Sequence, residues 1–174
     1  MNTILLANLI KIRWLAIFGQ LITLLVVRLI FNFEIPFYEC LVVIFLSVII
    51  NFYSSYDLKY NTTLSYKKFF IFLIYDISQL IALLYLTGGI FNPFIILILA
   101  PIIISASYLP GLWTVLLSFY SILLIFIINN FYIPLDWKEN FFTPIIYKTG
   151  ILIALIITII FIAIYAYLFA SSSR

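Results

Sequence analysis

Apolar residues run along this chain in long blocks, each closed by a short polar or turn-forming stretch. The blocks fall at 14–33, 40–56, 69–87, 93–109, 112–130 and 149–170. A helix needs roughly 20 mostly apolar residues to cross the hydrocarbon core of a membrane, and each block approaches or reaches that length. The connections are "EIPFYE", the polar "DLKYNTTLSYKK", the short "GGIFN", a tight "PG" and the longer "FYIPLDWKENFFTPIIYK". Lipid offers a bare backbone no hydrogen-bond partner, so such blocks must be helices, and turns this sparse exclude a barrel. The pattern predicts an all-α fold, an integral membrane bundle of six transmembrane helices. One domain is expected over 1–170, with 171–174 opening a cytoplasmic linker.

Composition narrows the function classes. Of 174 residues, 67% are hydrophobic and 9% charged, too much apolar surface for a soluble domain to hide. The sequence has no histidine, which removes the commonest general base and metal ligand, and no metal site is expected. A single cysteine, Cys40, excludes an internal disulfide and any CxxC redox pair. The opening "MNTILLANLIKIRW" is not a cleavable leader, because its basic residues follow the first apolar stretch.

Charge predicts orientation. With the N-terminus inside, Lys11, Arg13, Lys59, Lys67, Lys68 and Arg174 are cytoplasmic, while Arg28, Lys138 and Lys148 are outside. Six against three follows the positive-inside rule. Both termini are then cytoplasmic, and the connection at 88–93 faces outward.

Few polar residues enter the blocks. Asp76, in "IYDISQL", costs several kcal/mol inside a membrane unless paired or neutral. Counting about 1.5 Å per residue from the inner ends places Asp76, Gln20 and Asn51 at similar depth. Gln79 follows Asp76 by one helical turn. These four residues are expected to form an intramembrane polar layer, with Asp76 neutral or held by Gln20 or Asn51. Such a layer serves as glue between helices or as a proton or signal relay. Pro101 interrupts the fourth block and is expected to free the Leu97 carbonyl and kink the helix.

The sharpest break in the apolar pattern is "GGIFNP". A glycine in the left-handed conformation ends a helix, asparagine caps the next one and proline suits its first position. Turn chemistry alone accounts for Gly88, Gly89, Asn92 and Pro93, but not for Phe91 and Phe94. A second reading uses the same geometry. A helix start offers free N–H groups, glycines permit close approach, and phenylalanines give flat apolar faces. That combination suits a planar, lipid-soluble molecule with carbonyl acceptors, such as a quinone headgroup.

Together these residues resemble the membrane region of the RegB/PrrB/ActS-type redox-sensing histidine kinases. "GGIFNPF" (88–94) fits that family's GGxxNPF heptapeptide at every fixed position, and "IRWLAIFGQ" (12–20) resembles its first-span RW…GQ signature. "YDISQLIALLYLTGG" sets an acid upstream of the heptapeptide, and Pro101 follows in the next span. The resemblance implies a six-span sensor in the bacterial inner membrane whose outward loop senses the ubiquinone pool. The site would comprise Gly88, Gly89, Asn92, Pro93 and Phe94, with Phe91 alongside. It further implies a homodimer at full length, a response regulator as partner, and ATP only in a kinase domain beyond these residues. No nucleic-acid partner is expected. The family's phosphoacceptor histidine and redox-active cysteine have no counterpart here, so the chain reads as a sensor fragment or truncated product without catalytic residues of its own.

Two other classes compete. Six-span proteins of this length also serve as substrate-capture subunits of vitamin transporters, which would call for broken helix pairs or an internal repeat. A membrane enzyme would need clustered acids or histidines near one interface, and Asp76 stands alone in the membrane.

Overall fold

The computed structural model describes residues 6–30, 32–57, 64–134 and 150. They form five α-helices, with no strand among them: α1 (Leu6–Leu29), α2 (Phe37–Asp57), α3 (Tyr66–Leu86), α4 (Leu99–Tyr108) and α5 (Gly111–Asn130). Two 3₁₀ segments, Gly89–Phe91 and Pro93–Ile98, lie between α3 and α4. Four helices, α1, α2, α3 and α5, are long and apolar enough to cross a membrane. The expected sixth span at 149–170 and the 171–174 linker lie outside the described residues, Gly150 excepted.

Helix ends follow local chemistry. α1 starts well before the expected residue 14, so Lys11 and Arg13 are inside it. It ends at Leu29, just ahead of Asn32, whose φ of 53° is left-handed. α2 starts directly after Pro36, whose carbonyl accepts from Cys40 N–H at 3.0 Å. Ser65 caps α3, its side chain accepting from Lys68 N–H, and Pro110 precedes α5.

The fourth block departs from expectation. It is not a kinked α-helix. It runs as a 3₁₀ helix from Pro93 to Ile98 and turns α-helical at Leu99, two residues before Pro101. Pro101 thus occupies the first α-turn, where a missing N–H is tolerated. The Leu97 carbonyl is approached by the Leu99 N–H. At about 2.0 Å per 3₁₀ residue and 1.5 Å per α residue, the segment extends roughly 27 Å, close to the hydrocarbon thickness.

α3 is the central helix. Phe69, Leu73, Ile77, Leu80 and Leu84 recur at helical spacing and are buried, forming a core with Ile98, Ile104, Leu117 and Ile128. A second core joins Ile17 and Leu24 of α1 to Cys40 and Ile44 of α2. α1 packs chiefly on α2, and long side chains carry its links to α3. Outward positions such as Phe18, Phe45, Phe52, Phe119 and Phe126 are exposed and apolar, as lipid-facing positions are.

Gln20 and Gln79 bridge α1 and α3 by exchanging two amide hydrogen bonds, at 3.1 and 2.8 Å. A double-mutant cycle of Gln20→Leu and Gln79→Leu, followed by detergent unfolding, should give a coupling of about 0.6–1.7 kcal/mol. A coupling near zero would show that the amide pair holds nothing together.

Candidate functional site

One turn of α3, "YDISQ" (75–79), contacts three neighbouring helices. Asp76 meets Arg13 of α1: Nε donates to Oδ1 at 2.9 Å and Nη2 lies 2.7 Å from the same oxygen, though it is not aligned as a donor. Tyr75 shares a 2.8 Å hydrogen bond with Ser47 of α2. Ser78 shares a 2.7 Å bond with Tyr120 of α5. Gln79 takes Gln20 of α1, as described. Between them, Ile77 is fully buried. Successive side chains on a helix point about 100° apart, so one polar turn can reach partners all round.

The Arg13 guanidinium is well covered. It is 5% exposed, and its Cζ lies 4.9 Å from the Phe72 ring centroid and 5.3 Å from that of Tyr75. Aromatic faces in a desolvated place attract a cation, and they replace part of the hydration that Arg13 loses. Nη1 has no hydrogen-bond partner among the described residues. The Asp76 side chain keeps 25% of its surface exposed.

These contacts correct the expected pairing. The partner of Asp76 is Arg13, neither Gln20 nor Asn51. Gln20 is bound to Gln79, and Asn51 donates from Nδ2 to the Ile10 carbonyl at 3.2 Å. The four polar residues form three separate cross-helix links, and among the described residues no hydrogen bond joins these into one network. Arg13 sits one residue outside the apolar block beginning at 14, so the pattern alone makes it an orientation charge and not a partner of Asp76. The available signal was electrostatic: an acid inside a membrane demands a cation within reach.

The knuckle at 87–94 is a closed hydrogen-bonded turn. Gly88 and Gly89 have φ of 98° and 60°, both left-handed, so the chain can leave α3 sharply. Asn92 Oδ1 accepts from Phe94 N–H at 2.9 Å, capping the 3₁₀ segment. Its Nδ2 donates to both the carbonyl and the hydroxyl of Thr87, at 3.0 and 2.8 Å. Thr87 Oγ1 in turn donates to the Leu83 carbonyl at 2.6 Å. Ile95 N–H reaches the Asn92 carbonyl, so the first-turn donors are largely satisfied within the turn.

Close approach at Gly89 is used by the chain itself. A Cβ there would lie 2.5 Å from Tyr132 Cγ, so the tyrosine ring packs against bare backbone. At Pro93 the neighbour is Gly150, where a Cβ would come within 3.3 Å of the proline ring. The two phenylalanines divide. Phe94 packs against the main core, whereas Phe91 is 56% exposed and stands edge-on to Tyr132, ring centroids 5.9 Å apart. Ile133 N–H anchors this returning strand of chain to the Tyr85 carbonyl at 2.9 Å. Thr87 and Tyr132 were not singled out from sequence. Thr87 adjoins the glycines, but Tyr132 lies beyond the fifth block and carries no local signal.

A multi-pass helical membrane protein with a buried charge pair and an aromatic-faced turn is the class these features define. The chain is similar to the sensor histidine kinase RegB of Cereibacter sphaeroides, 33% identical over 163 residues, which covers 92% of this chain. The chain spans about a third of that relative's length, 35%. The resemblance to RegB-type sensor kinases therefore extends well past the heptapeptide and through nearly all of the chain. No family model and no solved structure matches it.

Asp76→Leu leaves the Arg13 charge buried and unpaired, which should cost about 3–5 kcal/mol of stability. Removing both charges in Arg13→Met/Asp76→Leu should recover most of that loss, measured by detergent unfolding of purified protein. A double variant as unstable as the single one would mean that the contact is lost packing and not charge.

Proposed function

We propose that this chain is the membrane-embedded sensing module of a quinone-responsive two-component histidine kinase. Six spans place both termini in the cytoplasm of a bacterial inner-membrane protein, and the 88–94 turn faces outward. The full-length protein acts as a homodimer, takes ATP in its kinase domain and passes phosphate to a response regulator. Similarity to a sensor histidine kinase over 92% of the chain supports the module. The heptapeptide at 88–94 supports quinone as the signal.

The observation that carries the ligand reading is the exposed Phe91 ring, held beside Tyr132 by a turn that satisfies its own polar groups. A large aromatic face fixed at an outer membrane surface offers a quinone ring a stacking surface. The isoprenoid tail then leaves between helices into lipid. Gly88, Gly89, Asn92 and Pro93 shape the turn, Phe94 roots it in the core, and Phe91 meets the ligand.

Binding of a short-chain ubiquinone analogue to the full-length protein in lipid nanodiscs tests this. Phe91→Leu removes the aromatic face and should weaken binding about two- to tenfold with little change in thermal stability, since an aromatic pair contributes about 0.5–1.5 kcal/mol. Phe94→Leu should do the reverse, lowering stability more than affinity. Equal binding by wild type and Phe91→Leu would remove Phe91 from the site, and no binding by wild type would remove quinone from the function.

Orientation has its own check. Reporter fusions after Asn61 and Asn140 should read cytoplasm and outside respectively, and finding both on one side would reject the span order.

A further inference from the structure

We infer that Tyr132 supplies the hydrogen bond that a quinone carbonyl receives at this site. The inference rests on the quinone reading above and deepens it by naming a positioning residue that the 88–94 motif does not contain.

The reasoning begins with donors. A quinone has only acceptors, its two carbonyl oxygens, so a specific site must present an N–H or O–H. The side chains of the turn and its backbone from Phe91 to Ile95 are already engaged. Asn92 directs its amide to Thr87, and the Thr87 hydroxyl donates to Leu83. Backbone N–H groups of Phe91, Asn92, Phe94 and Ile95 are bonded within the turn, and Pro93 has none. Recruiting any of these for a ligand would break a bond that shapes the turn.

Tyr132 is differently placed. Its ring rests on Gly89, where even a methyl group would collide with it, and it meets the exposed Phe91 ring edge-on at 65°. Ile133, the next residue, is tied to the last turn of α3 through the Tyr85 carbonyl. The phenol is therefore fixed at its base by two elements, and its hydroxyl makes no hydrogen bond among the described residues. It combines an apolar ring beside the stacking surface with an O–H donor that no other described residue engages. Gly89 then has a second role: its missing side chain lets the tyrosine sit close enough to Phe91 to share one ligand.

The test is Tyr132→Phe in the full-length protein in nanodiscs, titrated with a short-chain ubiquinone analogue. The variant keeps the ring, so packing on Gly89 and Phe91 is preserved. Affinity should fall about three- to tenfold, the range for removing one hydrogen bond. Infrared difference spectra with carbonyl-labelled analogue give a readout that packing does not move. One carbonyl stretch, lowered by hydrogen bonding in the wild type, should shift up toward the unbonded position in Tyr132→Phe. Wild type that binds with an unchanged affinity or an unchanged carbonyl band in the variant overturns the role of Tyr132 and leaves the quinone reading standing. Wild type that does not bind the analogue overturns both.

Discussion

The bundle is organised by a charge that cannot be left alone. Asp76 lies in the middle of an apolar helix, where an unpaired carboxylate costs several kcal/mol. Arg13 answers it from α1, and both pay a desolvation cost that only good geometry offsets. The geometry is made by Phe72 and Tyr75, whose rings flank the guanidinium, and Ser47 holds the Tyr75 hydroxyl from α2. A single ionic contact thereby draws side chains from three helices into one arrangement. Because lipid tails are as apolar as the helix surfaces, hydrophobic burial cannot drive these helices together, and polar links select which faces meet.

The same helix carries the turn. Asp76 and Gly88 are twelve residues apart in α3 and its exit, about 18 Å along the axis. The heptapeptide is thus mounted on the most heavily anchored helix of the bundle, with Gln79, Ser78, Asp76 and Tyr75 each tied to a neighbour below it. A turn that satisfies itself and stands on a fixed helix holds Phe91 in a defined place. On the quinone reading proposed above, rigid mounting of this kind would let the turn meet a flat ring without first being ordered by it.

Much of the fold was legible because a membrane imposes one rule on every backbone group. Apolar block length marked α2, α3 and α5 to within a few residues, although each helix begins ahead of its block, directly after Pro36, Ser65 and Pro110. α1 begins earlier than its apolar block, since counting apolar residues stops at the first basic side chain, and Arg13 lies inside the helix, where it pairs with Asp76 of α3. The fourth block looked like one kinked helix. Local composition could not distinguish that from a 3₁₀ entry that places Pro101 harmlessly in the first α-turn.

Helical class, a left-handed glycine at 88 or 89 and the capping role of Asn92 were legible in the chain, because each depends on neighbours within a few residues. Partnerships between distant residues were decided only by the tertiary structure. Depth counted from the block ends set Gln20, Asn51 and Asp76 level, but Asn51 meets Ile10 and Asp76 meets Arg13, about 15 and 10 Å along α1 from Gln20. Arg13 and Gln20, two turns apart, share one face of α1, so once α1 starts at Leu6 the lower residue meets Asp76 and the upper one meets Gln79. Likewise the turn's glycines announced a close approach without saying of what. Only the return of the chain after α5 places Tyr132 on Gly89, a contact between residues more than forty positions apart that no local pattern encodes.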